Sequence, residues 1–398
     1  VQSRARLIGE LMLTMIHDLV AWAPLGIPAF ILVIALVVFF HELGHFLMAR
    51  ACGVAIDSFS IGFGGEIAGW TDNKGTRWKI CWLPLGGYVK FSGDENAASK
   101  PDPERLAQMS DEEKKGAFPL KPLWQRMLVV AAGPLANFLL AFVVFTILFS
   151  VWGARTLSTY VGGVQEGSPA ALAGVEPGDK IIAVNGKAVK LFNPDLITAI
   201  RDSKSKTLDV TIWRKGQTRD VTITPREIPS KDIFGGKMQA PRAIGVAPDE
   251  QSADNMVYVP IPVLKAPVAA GYQCWGIVDL SLTYVWRIVS QRADPTGVGG
   301  PIRIAKEAKS AASMGFYGLV WLIAVISVSI GLINLFPIPL LDGGHLLYYA
   351  FEGVLGRPLS EKTQDVGFRL GLALVLGLMI FATWNDLVRL LGSSAGHT

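Results

Sequence analysis

One apolar run carrying its own metal-binding pattern constrains everything else in this chain. Leu25 to Phe40 are sixteen apolar or small residues without a charge, leading straight into His41-Glu42-Leu43-Gly44-His45, after which Phe46-Leu47-Met48-Ala49 keep the apolar character. A segment of this length and composition reads as a helix long enough to span a bilayer. Histidines at i and i+4 stand on one helix face, so both imidazoles can reach one metal ion. Glu42, beside the first histidine, can take a proton from a water that the metal acidifies. Ionisable residues at membrane depth are costly to place there and mark function.

Composition widens this reading from one helix to the chain. Of 398 residues, 51% are hydrophobic and only 18% charged, which excludes an ordinary soluble protein and implies several membrane spans with some water-exposed structure. The formal net charge of +4 is spread without a basic cluster, so no nucleic acid is expected as a partner. Cys52, Cys81 and Cys274 have neither CxxC spacing nor an even count; they read as free thiols rather than a disulfide framework or a thiolate metal site.

Val1 to Ala23 form an amphipathic lead-in without the small-residue cleavage site of a secretory signal, so the first span, about Trp22 to Met48, is expected to be retained. Basic residues dominate Arg50 to Gln125 between two spans, the mark of a cytoplasmic segment. Within it, Ser58 to Phe91 alternates and is broken by Asp72-Asn73-Lys74-Gly75, predicting a β-hairpin. Its edge can line a protein cavity and accept an extended peptide as an added strand, or the hairpin is structural only. Asn96 to Lys115, charged and poor in apolar residues, reads as a mobile loop.

Met127 to Val151 is the second span and contains Gly133-Pro134-Leu135-Ala136-Asn137. The Asn137 amide needs an interhelical partner, either for packing or in support of the metal site. Ser158 to about Ala247 is water-soluble in character. Gly167-Ser168-Pro169-Ala170, Gly174 to Ile181 and Val184-Asn185-Gly186 resemble a bacterial-type PDZ domain, with Asn193 to Asp202 as its second helix and Ala243 to Val246 as its closing strand. Val263 to Ser290 is interrupted by Lys265, Gln273, Asp279 and Arg287 and is expected to lie along the membrane interface, with Trp275, Tyr284 and Trp286 at headgroup level. Another helix, Arg303 to Ala312, precedes the third span, Gly315 to Ile338; Leu346 to Thr363 connects it to the fourth, Gly367 to Trp384. The expected divisions are 1–126, 127–153, 158–248, 249–312 and 315–391.

A catalytic zinc usually takes three protein ligands. The remaining intramembrane acid is Asp342, in Asn334-Leu335-Phe336-Pro337-Ile338-Pro339-Leu340-Leu341-Asp342-Gly343-Gly344-His345. If 263–290 does not span, the first and third spans run the same way and bring Asp342 to the depth of His41 and His45. If it spans, Asp342 falls on the opposite side. Pro337 and Pro339 remove backbone donors and force an extended path that can align a substrate strand, with the Asn334 amide pairing to its backbone. His345 is expected beside the ligands rather than among them. A membrane metal transporter or sensor using the same ligands, and a PDZ-bearing scaffold with a vestigial site, are the rival readings.

Taken together, HELGH, GPLAN, the PDZ pattern and NLFPIPLLDGGH resemble the site-2 protease family of intramembrane zinc metalloproteases, in its bacterial regulator-of-sigma-E protease branch, over about Trp22 to Leu391. The resemblance implies a polytopic α-helical membrane protein with four transmembrane helices, a membrane-associated β-hairpin and one inserted α+β PDZ domain. It implies Zn2+ held by His41, His45 and Asp342, Glu42 as catalytic base, and Asn334, Pro337 and Pro339 in contact with substrate. Substrates would be single-span membrane proteins, such as anti-sigma factors or remnant signal peptides, already shortened by another protease. The setting would be the bacterial inner membrane, with the PDZ domain periplasmic and the active site toward the cytoplasm. The best-known members of that branch carry two PDZ domains; this chain shows one.

Overall fold

The computed structural model describes residues 2–94, 102–227, 242–249, 252, 255–290 and 295–395. They fall into two compact units: Val1–Thr146 with Pro267–Thr283 and Pro295–Thr398, and Ile147–Ala266 with Tyr284–Asp294.

The first unit begins with helix α1, Gln2–Ala51, which runs unbroken from the lead-in through the metal motif. Strands β1, Ile56–Thr71, and β2, Arg77–Phe91, follow. The turn between them is where the sequence puts it: Gly75, at φ 85°, donates its N–H to the Asp72 carbonyl. The pairing is richer than a plain hairpin, however. Ser58 to Ile61 pair with Lys90 to Gly87 on one side and with Arg77 to Ile80 on the other. The two strands thus double back into a small sheet, and β2 supplies both flanks of the start of β1. Phe39 and Phe46 of α1 pack edge-on against Phe59, with Trp78 4.5 Å from Phe59, each such aromatic pair adding about 1 kcal/mol beyond its burial. This cluster fastens the sheet to the metal helix.

The stretch expected to be a mobile loop is a correction. Its first residues, 96–101, lie outside the described ones, but the rest forms α2, Pro103–Gln108, and α3, Asp111–Gly116. Both carry N-terminal caps, Asp102 for α2 and a reciprocal Ser110–Glu113 box for α3, and local capping outweighs a loop-like composition. Helix α4, Leu123–Val151, is the second apolar span and starts four residues before the expected boundary.

The second unit is built on short strands. Strands β3, Ala154–Leu157, and β4, Val161–Val164, lead to α5, Pro169–Leu172, then β5, Lys180–Val184, and β6, Lys187–Ala188. Helix α6, Ile197–Arg201, precedes β7, Leu208–Arg214, and β8, Gln217–Ile223; then come β9, Arg226–Glu227, β10, Arg242–Ala243, β11, Val246–Pro248, and β12, Met256–Val259. The main sheet is ordered β6-β5-β7-β8, with β11 on β4 and β12 on β3 as separate pairs. Asn185 and Gly186, both at positive φ, make the tight β5–β6 turn that the Val-Asn-Gly step implies. Alternate residues Leu208, Val210 and Ile212 of β7 point into a core shared with Ile181, Leu196, Ile223 and Ile244. The helix expected over 193–202 is regular only from Ile197, because Asn193 has extended backbone angles.

Helix α7, Ala266–Val289, covers the stretch expected at the membrane interface, and α8, Pro301–Ser313, follows. The first amides of α8 are capped from a distant helix: Gly300 and Arg303 donate their N–H groups to the buried carboxylate of Asp386 at 3.1 and 3.0 Å. Helix α9, Gly315–Asn334, stops short of Ile338, where the prolines leave the chain unwound. The segment expected as a connection is instead a helix, α10, Asp342–Leu355, and α11, Glu361–Ala395, completes the chain. Among the described residues four helical stretches are long and apolar enough to cross a membrane: Ala23–Ala51, Leu123–Val151, Gly315–Asn334 and Lys362–Arg389. Helix α7 is not among them.

One charge pair in the second unit generates a pH prediction. Burial disfavours the charged form of Asp179, but Arg214, donating two hydrogen bonds at 2.6 and 2.7 Å, and the Glu176 amide at 2.9 Å outweigh it and hold the carboxyl below its ordinary value. A lowered folded pKa means stability fully present above the unfolded value, roughly pH 4, and lost as pH falls through the folded value. Wild type should therefore lose hydrogen-exchange protection in β5 and β7 as pH falls from about 4. Asp179→Asn should already be destabilised by about 3 kcal/mol at neutral pH and show no such step.

Candidate metal centre

His41 and His45 project from one face of α1, and Asp342 is the first residue of α10. The structure brings the three together, although Asp342 stands almost three hundred residues after His45. His41 Nε2 and His45 Nε2 are 3.3 Å apart, and Asp342 Oδ2 lies 3.2 and 3.4 Å from them. A tetrahedral ion with ligands at ~2.0–2.1 Å would set them roughly 3.3 Å from one another, so the triangle fits such an ion. Its electronics fit as well. His45 Nδ1 donates to the Val129 carbonyl at 2.8 Å, so neutral His45 turns a bare Nε2 lone pair into the site. Asp342 Oδ2 is buried without a hydrogen-bond partner. Lone pairs gathered this closely away from water need a cation between them.

Helix packing sets the ring positions. Gly44, inside the motif, has no side chain where a Cβ would lie 2.3 Å from the Ala132 carbonyl and 2.7 Å from the Ala136 Cβ. Helices α1 and α4 therefore touch at backbone distance. Opposite, a Cβ on Gly133 would lie 2.2 Å from His45 Nε2. The glycine of the second-span motif vacates the space that the second histidine fills. Asn137, fully buried, places Nδ2 3.3 Å from His41 Nδ1 while its Oδ1 has no partner. Turning that amide over lets Oδ1 accept from Nδ1–H, which satisfies the oxygen and leaves His41 Nε2 bare like that of His45.

Glu42 points beside the triangle, toward β2. A Cβ on Gly87 would stand 3.1 Å from Glu42 Cγ and 3.2 Å from Val38 Cγ1. Sequence reasoning missed Val129, Gly133 and Gly87: a carbonyl and two absent side chains leave no chemical signature, although glycine in a helix or strand interior hints at close approach.

The expected substrate-contacting residues divide. The Asn334 amide reaches the site, 3.5 Å from His41 Nε2. Pro337 and Pro339 lie in the unwound segment above it, where Leu340 takes φ 103°, strained for a non-glycine residue. That segment folds back on its own helix: side chains at Gly343 or Gly344 would meet the carbonyls of Leu335, Phe336 and Ile338 at 2.2–2.4 Å, so both glycines after Asp342 are required by close approach. Gly371 of α11 leaves room for the Pro339 carbonyl in the same way. His345 stays outside the triangle, its ring edge-on to Tyr348 at 6.4 Å.

Gly133→Ala should force the His45 ring aside and weaken metal affinity about 10- to 100-fold, read as zinc retained after dialysis against a chelator. Gly163→Ala, where the nearest atom to a new Cβ is 3.8 Å away, should leave it unchanged.

Comparisons with known proteins agree with this centre. The family model described as Peptidase family M50 matches residues 29–378. A protein of Agrobacterium fabrum named a zinc metalloprotease is 43% identical over 92% of this chain and 96% of its own length. One of Rhizobium meliloti with the same kind of name is 43% identical over 92% and 97%. Metalloprotease MmpA of Caulobacter vibrioides is 40% identical over 90% and 94%. This chain therefore belongs to Peptidase family M50, the site-2 protease family, and is a membrane zinc metalloprotease.

Proposed function

We propose that the protein is an intramembrane endopeptidase that cuts the transmembrane segments of single-span membrane proteins, of the anti-sigma-factor or remnant-signal-peptide kind, after another protease has shortened them. The carrying observation is that His41 and His45 stand in the apolar stretch of α1 against Asn137 of α4 and Asn334 of α9, three helices long and apolar enough to span a bilayer, and that Asp342 joins them from the start of α10. The transporter and sensor reading falls with the family assignment, as does that of an inactive scaffold.

His41, His45 and Asp342 would hold the zinc ion. When bound, the ion supplies Lewis acidity, which polarises a carbonyl and makes water a stronger nucleophile at neutral pH. Glu42 takes the proton of the attacking water on its carboxylate and returns it to the leaving amine. Asn334, whose amide already faces the site, donates to the backbone of the bound strand. The Pro337–Leu341 segment and the Gly87–Phe91 edge of β2 give an unwound substrate two surfaces to run along, since a helical substrate hides its amides in its own hydrogen bonds.

The remaining assignments follow from the same reading. Phe63, Ile67, Trp70, Ile80, Trp82 and Leu83 are exposed on the β1–β2 sheet, which supports its dipping into lipid. Exposed Tyr272, Trp275 and Trp286 support an interfacial α7. The second unit would be a PDZ module on the periplasmic face of a bacterial inner membrane, with the metal centre toward the cytoplasm. The basic residues between α1 and α4 support that orientation.

Reconstituted into vesicles with a panel of single-span substrates, the wild-type chain should cleave within the apolar segment, as mapped by mass spectrometry of the fragments. Glu42→Gln should keep stoichiometric zinc yet lose about 10²–10⁴-fold in rate, and a chelator should stop wild type until zinc is returned. Cleavage confined to segments outside the bilayer would refute the intramembrane reading.

A further inference from the structure

The metal centre joins three helices, and two of them are tied together by an ion pair well away from it. Arg126, in the first turn of α4, donates two hydrogen bonds to Glu352 of α10, Nη2 to Oε1 at 2.5 Å and Nη1 to Oε2 at 3.2 Å. Its Nε donates to the Lys121 carbonyl at 3.1 Å, and its guanidinium lies 4.8 Å from the centre of the Tyr349 ring, also on α10. Both charged side chains are largely buried, at 14% and 17% exposure. Arginine used on both forks and stacked on a ring is held in one geometry, which a surface ion pair is not.

Its placement gives the pair a consequence. Arg126 stands one turn before Val129, the carbonyl that holds His45. On α10, Asp342 and Tyr349 are two turns apart on one side, and Leu346 and Tyr349 pack against the cluster of Phe46, Val129 and Val130. Glu352 lies ten residues from Asp342, a lever of ~15 Å. At that length a tilt of about 1° moves the carboxylate by roughly 0.3 Å, beyond the ~0.2 Å tolerance of a metal–ligand distance. The loop entering α10 packs on the first turn of the helix at Gly343 and Gly344 and holds that end, while the Arg126–Glu352 pair holds the far end.

We propose that Arg126 and Glu352 are positioning residues for the metal centre: a brace that fixes the angle of α10 on α4 and so holds Asp342 at ligand distance from the histidines. The proposal rests on His41, His45 and Asp342 being the ligands. Neither brace residue touches substrate or ion.

The test is a titration of the full chain in detergent with Co(II), reading the visible absorption and the affinity by competition, with thermal unfolding of the metal-free protein in parallel. Arg126→Met and Glu352→Gln should weaken Co(II) binding about 10- to 100-fold and alter the absorption band, and the exchange Arg126→Glu with Glu352→Arg should restore most of both. If either single variant does not fold, Glu352→Asp, which keeps the charge but shortens the reach, takes its place and should show the same loss. Wild-type affinity and spectrum in a folded single variant, with only the unfolding temperature lowered, would overturn the brace. Failure of wild type to bind Co(II), or undiminished binding by His41→Ala, would instead overturn the ligand assignment.

Discussion

Helices α1 and α4 meet without side chains between them, and the rest of the site depends on that contact. Gly44 and Gly133 bring the two backbones close enough for His45 to reach the Val129 carbonyl and for Asn137 to reach His41. In hydrocarbon, apolar surfaces do not drive helices together as they do in water, so van der Waals packing of small residues and interhelical hydrogen bonds must do so. The same few residues therefore supply the affinity between the helices and the orientation of the histidine rings. A bulkier residue at either glycine would separate the helices and misdirect the rings together.

Charge at this depth is tolerated because each group is answered. The histidine rings are supported from behind by a carbonyl and an amide, and Asp342 faces the rings across a gap suited to a cation. An apolar surround strengthens Lewis-acid and proton-transfer chemistry, since little water screens it. It also makes any misplaced ligand expensive, which is why support extends to the turn of α10 that lies a full helix away from the ion.

Much of this was legible before folding. The metal helix, the four apolar stretches, the Asp72–Gly75 turn, the Asn185–Gly186 turn and the unwinding at Pro337 and Pro339 all follow from local rules of period, length, φ preference and missing donors. The misreadings share a cause. Residues 102–116 look like a loop by composition but carry caps at Asp102 and Ser110, and 346–355 looks like a connection because its apolar residues are too few for a span. The doubled pairing of Ser58 to Ile61 could not be read from alternation, because a residue with partners on both sides has the same pattern as one with a single partner.

What the sequence determined by itself is chemical identity: two histidines on one helix face, a glutamate between them, an aspartate after a proline-broken span, and a bilayer as solvent for four apolar stretches. Those are properties of residue type and near-neighbour spacing. The tertiary structure decided the distances. Only the packing of α4 against α1 makes the Val129 carbonyl a partner of His45, only Gly87 lets the β2 edge lie against Glu42, and the pairing of Arg126 with Glu352 ties α10 to α4. Carbonyls, amides and missing side chains are the same at every position of a sequence, and they acquire a role only when a distant segment is brought against them.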